Sequence, residues 1–159
     1  MVSEIRTARD DVILRPLTLD DAEAYFNAVD EDRAHLSQFN DVTADNYPTV
    51  SEVEASIIRP PNPAKRRYGI WHNGTFAGSI NLTPYSDLAE VGYWIRKSSV
   101  GQGLARAATR ALTLNMLTEF DTIYASVMKG NKASQAVLEA SGFVVSSETD
   151  ERINYQFEA

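Results

Sequence analysis

The chain has 159 residues, of which 43% are hydrophobic, enough for one domain with a normal core and too few for a second. Its formal charge of -7 and pI near 4.8 create a field that repels nucleic-acid phosphates and anionic lipid; the same acidity suits a cationic amine substrate and equally serves solubility. With no cysteine there is no disulfide, thiol nucleophile or thiolate metal site, which fits a reducing, cytoplasmic compartment.

Residues 1–11 carry Glu4, Arg6, Arg9 and Asp10 without an apolar run, so they read as an N-terminal extension rather than a signal peptide, with a single domain expected over 12–159. No apolar run is long enough to span a membrane. Val12 to Leu14 predicts a strand. Thr18 with an acid three residues on reads as a helix start, and Ala22, Tyr25, Phe26 and Val29 at helical spacing predict a helix ending near Asp30. From Arg33 to Pro63 the pattern weakens: a helical turn around His35 and Leu36, a polar loop from Asn40 to Pro48, and a helix from Ser51 to Ile58 closed by Pro60, Pro61 and Pro63. Arg67 to His72 and Thr75 to Leu82 predict a hairpin about Asn73-Gly74, and Glu90 to Ile95 a further strand. Leu104 to Glu119 carries the strongest helical periodicity, followed by a strand at Thr122 to Val127, a helix at Lys132 to Ala140 ending before Gly142, and strands at Phe143 to Ser146 and Ile153 to Phe157. That order suits an α/β domain with an open mixed sheet covered by helices.

The chemistry concentrates where the strand Glu90 to Ile95 gives way to Val100-Gly101-Gln102-Gly103-Leu104-Ala105 at the head of the longest helix. Glycines let the backbone turn tightly and approach a ligand, and the free N–H groups of a helix's first turn suit a pyrophosphate; the same pattern also serves as a plain turn. Arg106 stands where a dinucleotide fingerprint needs a third glycine, and no Gly-Lys-Ser/Thr follows, so neither a dinucleotide fold nor a P-loop is supported.

Val100 to Ala105 resembles the GNAT signature Gln/Arg-x-x-Gly-x-Gly/Ala, with Val100 in place of the polar residue. Ala89 to Ile95 resembles that family's fourth strand, and Asn131-Lys132-Ala133-Ser134 through Gly142-Phe143 its second motif, Asn-x-x-Ser followed by a helix and Gly-Phe. With Leu14-Arg15-Pro16-Leu17 the likeness runs from about residue 12 to the end, and it points to the RimJ/RimL-type branch. The resemblance implies a central, mostly antiparallel twisted sheet of six to seven strands with about four helices. It also implies acetyl-CoA as co-substrate, with its pyrophosphate on the amides of Gly101, Gln102, Gly103, Leu104 and Ala105 beside Val100. The pantetheine arm would pair with the exposed backbone at Tyr93, Trp94 and Ile95, as an added strand does.

Acetyl transfer from a thioester to an amine requires a deprotonated amine and a proton or hydrogen bond for the departing sulfur. By resemblance Ser134 is the donor to sulfur, Glu90 the general base and Asn131 a cofactor contact. Read without it, they are a solvated helix serine, a strand-edge carboxylate and a helix cap. Glu148, Asp150 and Glu151 are further base candidates. His35 matches a family stretch bordering the acceptor pocket, while His72 reads as a turn residue. Two histidines with no acidic partner at ligand spacing argue against a metal site. The implied activity is direct acetylation of a primary amine, a protein N-terminal α-amine or a small amine such as a polyamine, aminoglycoside or amino acid, by a monomer or homodimer. A non-catalytic acyl-CoA-binding sensor module is the rival reading.

Overall fold

Burial alternates along Thr122–Met128 and runs unbroken through the middle of Arg66–His72 and Thr75–Tyr85, and the computed structural model, which describes residues 3–157, shows both faces of the resulting sheet covered. Met1, Val2, Glu158 and Ala159, which the expected extension and domain include, lie outside the described residues. Eight strands form one sheet: β1 (Ile5–Arg6), β2 (Val12–Pro16), β3 (Arg66–His72), β4 (Thr75–Tyr85), β5 (Leu88–Ile95), β6 (Thr122–Met128), β7 (Phe143–Glu148) and β8 (Arg152–Phe157). Their spatial order is β1-β2-β3-β4-β5-β6-β8-β7, and every neighbouring pair is antiparallel except β5 with β6. Six α-helices accompany them: α1 (Ala22–Glu31), α2 (Arg33–Leu36), α3 (Thr43–Asn46), α4 (Val50–Ile58), α5 (Leu104–Met116) and α6 (Lys132–Ser141).

Two cores follow from the period-2 alternation of the strands. On one face Leu14, Ile70, Leu82, Ala89 and Val91 pack with Leu104, Ala108 and Leu112 of α5 and Leu138 of α6. On the other, Phe76 and Trp94 pack with Tyr25 and Val29 of α1 and Val53 of α4. Edge-to-face stacking orders the second core, with the Tyr25 and Trp94 rings 5.2 Å apart at 89°. Leu112 is wholly buried, so Leu112→Ala would cost about 2–5 kcal/mol.

The sheet opens between β5 and β6. Their parallel ladder holds only at Leu88, Ala89 and Glu90 against Thr122, Ile123 and Tyr124. Beyond Glu90, β5 stays paired to β4 as far as Ile95, opposite Gly78, and β6 stays paired to β8 as far as Met128. Gly78 permits that close pairing, because a Cβ there would collide with the Trp94 carbonyl oxygen. The two strands therefore fork, each with an unpaired inner edge.

The α/β architecture and mostly antiparallel sheet agree with expectation, while the strand count of eight exceeds the expected six to seven and the α-helices number six rather than four. The extra strand, β1, spans two residues of which only Ile5 is buried, too short to show alternation. Within the expected polar loop Asn40 to Pro48, α3 makes a single turn, again shorter than one helical period of pattern. Helix α5 stops at Met116, before the expected Glu119; Phe120 turns back to donate its N–H to the Met116 carbonyl and is itself buried. Strands β4 and β5 run to a tight turn at Ser86, whose left-handed φ of 63° is adopted without glycine, so the usual turn signal is missing.

Candidate active site

The chain leaves β5 at Ile95, makes a 3-10 turn at Lys97–Ser99 and enters α5 through Gly101 (φ 83°) and Gly103 (φ 76°). Both angles lie in the left-handed region that glycine adopts without a Cβ penalty. Gly103 occupies the N-cap position and brings no side-chain acceptor. Among the described residues, no acceptor is found for the amides of positions 101 to 106; the helical ladder starts only with Ala107 N–H donating to Gly103 C=O at 3.1 Å. Six consecutive amides without an acceptor among the described residues thus gather at the positive end of a 13-residue helix. That is a fit for a diphosphate.

The loop is braced from behind. Arg9 Nη1 donates to the Gln102 carbonyl at 2.5 Å, while the same guanidinium donates to Asp11 at 2.9 and 3.0 Å, and Asp11 meets His72 Nε2 at 3.0 Å. The Arg9 hydrogen bonds lead in holding the Asp11 carboxyl down to about 2. Arg96 donates to Glu31, and Asp32 accepts the Lys97 amide at 2.8 Å, anchoring the turn before the loop to the end of α1.

A cleft of about 300 Å³ lies in front of these amides, walled by β5, the first turns of α6 and the segment 35–41. Tyr93, Trp94, Ile95, Val100, Gly101, Gly103, Leu104, Ala105, Asn131 and Ser134 all line it. Gln102 does not; it is exposed and its side-chain Nε2 donates to the Ser98 carbonyl at 3.2 Å. Trp94 is placed with its indole in the second core, Nε1 3.4 Å from the Tyr25 hydroxyl. Val100 is half-exposed at the rim.

Asn131 caps α6 through its side chain, Oδ1 accepting from the Ser134 N–H at 3.1 Å. The Ser134 hydroxyl lies 2.8 Å from the Tyr93 hydroxyl. Burial pushes the Tyr93 phenol up to about 12, so it holds its proton across the neutral range.

Glu90 sits at the crotch of the fork, opposite Tyr124, and does not line the cleft with Ser134. By the alternation of β5 it shares a face with Trp94, on the α1 to α4 side, whereas Tyr93 and Ser134 lie on the α5 and α6 side. Burial raises the Glu90 carboxyl above its ordinary range, with Arg152 and Lys65 pulling it back in part. Glu148, Asp150 and Glu151 are exposed and lie off the cleft, Glu148 being 3.9 Å from Lys129. His35 lines the cleft. So do Phe39 and Asp41, which also line an adjoining cavity of about 190 Å³ that reaches Gly92, Ser126 and Arg152. Phe39 and Asn40 both have left-handed backbones (φ 58° and 61°), strain stored at the cleft mouth. Sequence reasoning missed Arg9, the side chain of Tyr93, and Asp41. Among the described residues no acidic or histidine cluster could hold a metal, and no helix is long and apolar enough to cross a membrane.

Residues 11–144 match the Acetyltransferase (GNAT) domain family. A Bacillus subtilis (strain 168) protein named "Probable N-acetyltransferase YjcK" is 28% identical over 144 residues, covering 83% of this chain and 80% of that one. In fold, the chain is similar to a RimL ribosomal L7/L12 alpha-N-protein acetyltransferase solved with coenzyme A (TM-score 0.86, 18% identity, 97% of each chain). It is also similar to the microcin C7 self-immunity acetyltransferase MccE solved with acetyl-CoA and AMP (TM-score 0.77, 19% identity, 93% of this chain and 92% of that one). At these identities the two structural likenesses are likenesses of fold.

Proposed function

This chain belongs to the GNAT acetyltransferase family, enzymes that use acetyl-CoA, and from that premise we propose that it moves the acetyl group directly onto a primary amine, a protein N-terminal α-amine being the leading acceptor. The observation that carries this reading is the row of unaccepted amides at 101 to 106 opening on the cleft between β5, α5 and α6. The likeness in fold to the RimL ribosomal L7/L12 alpha-N-protein acetyltransferase supports the protein N-terminus, and the net charge of -7 suits a small cationic amine as the second reading. We take residues 12–159 as the catalytic domain, working in the cytoplasm as a monomer or homodimer, with 1–11 as an arm whose Arg9 braces the loop.

Bound acetyl-CoA supplies a thioester carbonyl and a thiol leaving group. The chain's own residues do the rest. The backbone donors of Gly101, Gln102, Gly103, Leu104 and Ala105 take the diphosphate, next to the apolar edge of Val100. The free inner edge of β5 at Tyr93, Trp94 and Ile95 offers strand-like hydrogen bonds to the pantetheine amides, and Asn131 closes the far side. Glu90, its carboxyl raised by burial, accepts a proton from the incoming amine through water on the α1 to α4 side. Ser134 donates to the sulfur on the α5 and α6 side. Nitrogen loses one proton to Glu90, which returns it to solvent, as the N–C bond forms; the sulfur leaves as a thiolate steadied by the Ser134 hydrogen bond and takes a proton from solvent as the C–S bond breaks, so the exchange is proton-neutral and Ser134 keeps its own hydrogen.

The test is release of free thiol from acetyl-CoA with a panel of N-terminal peptides, polyamines, aminoglycosides and amino acids. Turnover with a peptide supports the leading acceptor, turnover with a small amine the second. Tight acetyl-CoA binding without turnover of any member would instead make the chain an acyl-CoA sensor.

A further inference from the structure

The fork brings together two hydroxyls from separate elements, Tyr93 of β5 and Ser134 of α6. The phenol oxygen lies 2.8 Å from Ser134 Oγ and 3.4 Å from the Ser134 carbonyl oxygen. Asn131 fixes the Ser134 amide, but nothing in that cap fixes the serine side chain. A serine hydroxyl in a helix's first turns otherwise samples several rotamers and can fold back onto a carbonyl of its own helix. The Tyr93 ring is held by packing on the first core, so its oxygen is a stationary partner.

We propose that Tyr93 is a positioning residue for acetyl transfer, its phenol O–H donating to Ser134 Oγ so that the serine's own hydrogen is turned into the cleft toward the departing sulfur. The inference rests on the assignment of Ser134 as the donor to sulfur. A phenol has one proton. With that proton given to Oγ, the serine has no reason to donate back to Tyr93, and accepting a hydrogen bond polarises its O–H as a better donor. The phenol must stay protonated to act, and burial keeps it so to about 12, beyond the range in which amines become free. No bond at Tyr93 is made or broken in the reaction.

The experiment compares Tyr93→Phe, Ser134→Ala and the double variant in the full chain. It measures thiol release with the best acceptor of the panel, affinity for coenzyme A by calorimetry, and Tm. Tyr93→Phe is expected to lower kcat roughly tenfold, the worth of one well-made hydrogen bond. KM for acetyl-CoA and affinity for coenzyme A should stay within about twofold, because the backbone at position 93, the part assigned to the pantetheine arm, and the ring are both retained. Added to Ser134→Ala, the phenylalanine should have no further effect. Replacing Tyr93 with 3,5-difluorotyrosine preserves size but ionises at lower pH, so the alkaline fall of kcat should move to lower pH; this variant decides the matter if Tyr93→Phe fails to fold. Full kcat in Tyr93→Phe, or losses that multiply in the double variant, overturns the role of Tyr93 and leaves that of Ser134 standing. Wild-type kcat in Ser134→Ala overturns both.

Discussion

Helices α4 and α5 begin in opposite ways. At the head of α4, the Glu52 carboxylate accepts the Thr49 N–H at 2.9 Å and the Thr49 hydroxyl, a reciprocal cap that also lowers the Glu52 pKa. At the head of α5 stands Gly103, with no side chain to offer, and six amides from 101 to 106 without an acceptor among the described residues. Helix α6 lies between the two, its Asn131 accepting one amide and leaving the rest. Helix starts cost about 1 kcal/mol when their cap is missing. On the proposed function, the uncapped start of the longest helix takes its acceptor from the diphosphate of acetyl-CoA.

The comparison breaks most visibly at Gly103. Gly103→Glu places a side chain and a negative charge among the open amides and at a left-handed φ, so affinity for acetyl-CoA should fall at least ~100-fold by calorimetry. Next comes Ser134→Ala, in which kcat should drop roughly 30-fold to 100-fold while coenzyme A still binds.

Glu90 sharpens the account through pH. A base works when deprotonated, and burial disfavours its charged form, so the acidic limb of kcat/KM should lie above the ordinary carboxylate range. In Glu90→Gln that limb should disappear from the pH profile along with most of the activity. Asn131→Ala removes a cap and a cleft contact together; unfolding stability should fall by about 1 kcal/mol in urea titration, with several-fold weaker cofactor binding. The smallest effect belongs to Thr49→Ala. It should cost about 1 kcal/mol and leave acetyl-CoA affinity unchanged, which separates a cap that holds the fold from an end that holds a ligand.

Most of the sheet was legible, because β6 buries alternate residues over seven positions, β3 and β4 carry buried runs joined at the Asn73-Gly74 turn signal, and α5 carries three turns of periodic pattern. Elements of one turn or one bridge, α3 and β1, were not, since two to four residues contain no period to read. In the site, the glycines and the Asn-x-x-Ser motif were visible as local signals. Arg9 was not, because its partner, the Gln102 carbonyl, lies 93 positions away and main-chain acceptors carry no side-chain signature. The meeting of Tyr93 with Ser134 needs the fork, a three-dimensional fact created where the β5 to β6 ladder stops after Glu90. Asp41 was hidden in a stretch without repeat or periodicity.

The most direct test follows backbone amides by nuclear magnetic resonance as coenzyme A is added to the full chain. The amide protons of residues 101 to 106 should move downfield together on gaining an acceptor, while those of residues 50 to 53, at the capped start of α4, stay where they are. Coenzyme A bound at saturation with the 101 to 106 signals unmoved would contradict the account.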